Sequence, residues 1–131
     1  MTGLDTNVIV RYIVQDDAEQ SAAAARVFDS FTTDMPGYVS LVAVVELVWV
    51  LESCYFVGRA EIEAVVESLL RSRELVVEET ELVWRALQTF SRSKAEFADC
   101  LIEQSGRIAG CEYTVTFDWG AAKATGMELL S

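Results

Sequence analysis

The chain has 131 residues, of which 52% are apolar and 24% charged, with a formal net charge of −11. That length and balance fit one folded domain spanning 1–131 with its own core, and exclude a disordered or fibrous chain. The negative charge argues against holding nucleic acid on a broad basic face, and the absence of histidine rules out Ser-His-Asp or Cys-His nucleophile systems and His-ligated zinc.

The N-terminus opens with a short β-like run at 2–4, "TGL", followed by Asp5 and the helical "TNVIVRYIV". Asp17 with Gln20 marks a helix start for the alanine-rich "AEQSAAAARVF". A second β-like run, "GYVS" at 37–40, leads into the stretch from Leu41 to Leu51, too long and apolar for an ordinary strand and read as a buried helix. Ile62, Val65, Val66, Leu69 and Leu70 have amphipathic helical spacing, and so do Leu82, Val83, Ala86, Leu87 and Phe90. Further strands are expected at 74–79, 112–117 and 127–130. Strands alternating with helices, without hairpin signals, indicate an α/β domain with a mainly parallel sheet.

No apolar run reaches the ~18 residues of a membrane span, because Glu46 splits the longest one. No signal-peptide pattern precedes the first strand, so a cytoplasmic location is expected. Cys54, Cys100 and Cys111 make an odd count without C-x-x-C spacing and are expected as reduced, mostly buried thiols.

Without histidine, any catalysis must use carboxylates, lysine, hydroxyls or an oxygen-ligated metal. Four acids are candidates. Asp5 and Asp118 each follow a strand and open a helix, where functional groups gather in α/β sheets; both are equally readable as helix N-caps. Glu46 has only apolar helical neighbours at three and four residues, Val42, Ala43, Trp49 and Val50, so its charge calls for a cation, protonation or a distant Arg. Asp99 lies between Glu96, expected in a capping box with Ser93, and Glu103, expected to pair with Arg107. It is either a solvated acid or one relieved by a bound cation. Together these hard oxygen donors suit Mg²⁺ or Mn²⁺. Arg11, Arg92, Lys94 and Lys123 are candidate rim cations or ordinary surface charges.

"LDTNVIVRYIVQDD" resembles the opening motif of the PIN-domain ribonucleases, especially the toxin half of bacterial VapBC toxin–antitoxin pairs. "VSLVAVVELVWVL", "FADCLI" and "YTVTFD" follow in matching order, so the resemblance covers essentially the whole chain. It implies a three-layer α/β/α sandwich around a mainly parallel sheet of four to five strands, and a Mg²⁺- or Mn²⁺-dependent endoribonuclease. By the same resemblance Asp5, Glu46, Asp99 and Asp118 are the catalytic acids and metal ligands, with Asn7 and Thr116 supporting them. It further implies an RNA substrate, a small antitoxin whose basic segment covers the acids, and a homodimer. Some members carry one more acid just after the last motif Asp; here the residues are Trp119, Gly120 and Ala121.

Two other readings are carried forward. A catalytically degenerate PIN-like interaction module would bind without cleaving. A haloacid-dehalogenase-like phosphatase also begins with an Asp after its first strand, but requires a second Asp where this chain has Asn7.

Overall fold

A computed structural model describes all 131 residues. The chain divides into two compact units, Met1–Glu78 and Glu79–Ser131. The first contains β1 (Thr2–Gly3), α1 (Thr6–Val14), α2 (Ala18–Asp29), β2 (Gly37–Val39), α3 (Leu41–Tyr55), α4 (Arg59–Arg71) and β3 (Leu75–Val77). The second contains α5 (Thr80–Arg92), α6 (Phe97–Ile108), β4 (Val115–Thr116), α7 (Trp119–Thr125) and β5 (Glu128–Leu129).

In the first unit the strands lie in the order β1-β2-β3, all parallel, with Thr2 opposite Gly37 and Tyr38 opposite Val76. Parallel neighbours need crossovers, which the helix pairs α1–α2 and α3–α4 supply. Ile9, Val39, Leu47, Leu51, Ile62 and Val66 fill the core and are essentially inaccessible. Gly37 is required by close approach: a Cβ there would stand 2.5 Å from the Phe31 ring.

In the second unit α5 buries Leu82, Val83, Ala86, Leu87 and Phe90, the face that its apolar spacing predicts. Phe90 meets Phe97 of α6 edge to face, with ring centroids 5.7 Å apart. Strands β4 and β5 pair in parallel around α7, with Val115 opposite Glu128.

The α/β class and the parallel pairing are thus as expected, and a strand stands at each of the five expected places. The five are divided between a three-stranded and a two-stranded sheet. The expected strand at 112–117 shrinks to Val115–Thr116. Asp17 does cap α2, accepting from the Gln20 backbone N–H at 3.0 Å.

Three expectations are corrected. The Ser93–Glu96 capping box does not form: Ser93 closes α5, donating its hydroxyl to the Thr89 carbonyl, and Glu96 sits at the N-cap of α6 without a side-chain cap bond. Only Cys100 is a buried thiol, whereas Cys54 and Cys111 are exposed. Helix α3 is buried on one face alone, through Ala43, Val44, Leu47, Val48 and Leu51, while Val42 and Trp49 remain 68% and 63% exposed. No helix is long and apolar enough to cross a membrane.

Candidate active site

Asp5 ends the link from β1 and occupies the N-cap of α1, in extended backbone geometry, yet its side chain makes no capping hydrogen bond. Its exposed carboxylate is therefore not consumed by the local helix. The next residue, Thr6, is buried and donates its hydroxyl to Glu46 Oε1 at 2.8 Å, across 40 positions of sequence. This bond ties the start of α1 to the middle of α3 and fixes one oxygen of Glu46. Thr6 was not singled out in the sequence. The available signal was a hydroxyl one residue after Asp5, at a position that turns inward.

Glu46 itself is exposed, on the same side of α3 as Val42 and Trp49. Its apolar neighbours therefore do not desolvate it as expected, because Val42 and Trp49 are themselves exposed. Asn7 is also exposed and lines a groove of about 300 Å³ between α1 and α2, with Val8, Arg11, Ala23, Ala24 and Val27.

Arg11 is a structural clasp and not a free rim cation. Its Nη1 donates to Asp16 Oδ1 at 2.9 Å and to the Tyr55 hydroxyl at 3.0 Å, and its Nε donates to Gln20 at 2.7 Å. The Tyr55 hydroxyl in turn donates to Asp16 Oδ2 at 2.9 Å. That hydroxyl first, then a backbone hydrogen bond and the Arg11 charge, hold the Asp16 carboxyl below its ordinary range against the opposing effect of burial. The Tyr55 bond likewise strengthens the hold of Arg11 on its proton.

In the second unit Asp118 is the N-cap of α7 and accepts from the Ala121 N–H at 3.1 Å, so the capping role is real for this acid. The Asp118 N–H donates to Thr116 Oγ1 at 3.0 Å. These bonds pin Asp118 on both sides while leaving its other carboxylate oxygen without a bond. Exposed Phe117 and Trp119 flank it, and Lys123 Nζ lies 4.9 Å from the centre of the Trp119 ring. Asp99 stands half-buried in the first turn of α6. Its neighbour Glu103 is buried and paired with Arg107 at 2.6 Å, as expected.

The four acids are divided evenly, Asp5 and Glu46 in the first unit, Asp99 and Asp118 in the second. Within neither unit do three acidic or thiol side chains gather into a metal-holding group. The donor chemistry nevertheless suits magnesium, which keeps several waters and is bound by only one or two carboxylates at a time. The uncommitted oxygens of Asp5 and Asp118 are donors of this kind.

Comparison with known families matches the PIN domain to residues 4–126. PIN domains are generally nucleases that use divalent metal ions. No curated protein matches the chain.

Proposed function

The chain belongs to the PIN-domain family, and on that basis we propose that it is a Mg²⁺- or Mn²⁺-dependent endoribonuclease, the VapC-type toxin of a toxin–antitoxin pair. Residues 1–131 would act as one PIN-like domain. The observation that carries this reading is the Thr6–Glu46 bond, which joins the residue next to Asp5 to the acid of the second motif.

Asp5, Glu46, Asp99 and Asp118 would hold the ion. When bound, a divalent ion lowers the pKa of a coordinated water and offsets charge on the phosphate. The chain's own residues do the positioning. Thr6 restrains the Glu46 carboxylate, leaving Oε2 free to accept a proton or orient a water. Thr116 accepts from the Asp118 backbone and keeps its hydroxyl proton for a water or a phosphate oxygen. With no histidine, proton transfer falls to carboxylates and water. Direct attack by water leaves 5′-phosphate and 3′-hydroxyl ends.

The partners follow from the same reading. A small antitoxin would insert a basic segment among the acids, since an arginine fork satisfies paired carboxylate oxygens. A second copy of the chain would complete a homodimer, for which Phe56, 86% exposed just beyond α3, is an apolar contact. The site of action would be the cytoplasm.

The test compares wild type with Asp5→Asn on a mixed RNA pool in Mg²⁺, in Mn²⁺ and in EDTA. Cleavage is expected with either metal, to 5′-phosphate ends, and is expected to vanish in EDTA or in the variant. Cleavage that persists in EDTA, or 2′,3′-cyclic phosphate products, would overturn the proposal.

A further inference from the structure

The acids that suit a metal do not suit an RNA strand, and a chain of net charge −11 must make room for phosphates somewhere. The outward face of α5 offers such a place. A groove of about 800 Å³ runs along it, lined by Trp84, Arg85, Gln88, Thr89 and Arg92, with Gln104 of α6 on its far wall. Thr80 and Glu81 close one end.

The lining is less acidic than the chain as a whole. Two guanidinium groups face a single carboxylate, and that carboxylate is already paired: Arg85 Nη2 meets Glu81 Oε1 at 2.8 Å. Arg92 is exposed and pairs with no carboxylate. Gln88 supplies an amide; the Gln104 amide already donates to Glu103 Oε1 at 3.2 Å and the Thr89 hydroxyl to the Arg85 carbonyl at 3.5 Å, so these two offer the groove only their remaining hydrogen-bonding capacity. Trp84 is half-buried and borders the groove. An aromatic plane beside guanidinium groups and amides is how single strands are held, by stacking of bases and neutralisation of phosphates.

We propose that this groove binds single-stranded RNA, with Arg92 and Arg85 contacting phosphates and Trp84 stacking against a base. The inference rests on the nuclease reading and adds a binding surface formed by residues other than the four acids. Glu81 competes with the strand for Arg85, so Arg92 is the stronger of the two contacts.

The test is anisotropy of a labelled RNA 12-mer in EDTA, so that cleavage does not enter. Two phosphate contacts on a single strand give a salt slope of about −1.4, or a roughly sevenfold loss between ~50 and ~200 mM salt. Arg92→Gln is expected to reduce that slope by about 0.7 and to weaken binding. Glu81→Gln is expected to strengthen binding, and Arg26→Gln, outside the groove, to leave it unchanged. An abasic strand of equal length should bind the wild type at least about fivefold more weakly, since stacking is lost without altering the protein.

Equal binding by wild type, Arg92→Gln and Glu81→Gln, or of base-bearing and abasic strands, overturns the inference. So does an Arg92→Gln variant that changes only the sedimenting species, which would make the groove a protein contact. Cleavage that occurs while binding ignores these substitutions removes the groove alone. RNA held in the groove without metal-dependent cleavage removes the nuclease reading alone.

Discussion

Asp118 and Asp5 occupy equivalent places, each an N-cap after a short strand, yet they spend their oxygens differently. Asp118 gives one to the Ala121 N–H, whereas Asp5 gives none to its helix. Substitution separates the two duties. Asparagine caps a helix as well as aspartate, while alanine does not and costs about 1 kcal/mol. Asp118→Asn is therefore expected to keep wild-type stability and lose cleavage, and Asp118→Ala to lose both, read by urea unfolding beside an RNA cleavage assay. Equal stability of the two variants would show that the cap contributes nothing.

Helix α3 shows how an element with apolar residues all round divides its faces. Leu47 is wholly buried and Trp49, two residues on, is 63% exposed. Leu47→Ala should cost about 2–5 kcal/mol through the cavity it leaves; Trp49→Ala should stay within about 0.5 kcal/mol in the monomer. Urea titration at low protein concentration measures both. At the far end of this helix, Tyr55 joins Arg11 and Asp16 in the clasp that links α1, the turn after it and α3. The Asp16 carboxyl is held below its ordinary range in the folded chain, so its contribution to stability is present above the unfolded value. It is lost as pH falls through the lower, folded one. The gap in melting temperature between wild type and Asp16→Asn is thus expected at neutral pH and should close in strong acid. In Tyr55→Phe the Asp16 carboxyl should titrate at higher pH, which carboxyl-resolved NMR would record.

For the whole molecule, metal binding is a stability measurement as well as an activity requirement. A ligand that binds only the folded chain stabilises it by about 2.7 kcal/mol at a hundredfold excess over its Kd. Mg²⁺ is expected to raise the melting temperature of the wild type, EDTA to reverse the rise, and Asp5→Asn to abolish it. A shift that survives Asp5→Asn would place the ion elsewhere. The two compact units each carry two of the four acids, so Asp99→Asn provides the matching test from the second unit.

The sequence by itself determined the order and type of the elements, the parallel pairing and the family, because periodicity and strand-end acids are local signals carried by consecutive residues. It also identified the Glu103–Arg107 pair, whose partners are one helical turn apart. It could not tell which side of α3 would be left open, since Val42, Leu47 and Trp49 all count as apolar in the pattern and only packing assigns them to the core or the surface. Nor could it find the Thr6–Glu46 bond or the Arg11–Asp16–Tyr55 clasp, in which α3 supplies a partner about forty residues away. Those contacts depend on how the crossovers bring α1 and α3 together, and that is decided by the tertiary fold.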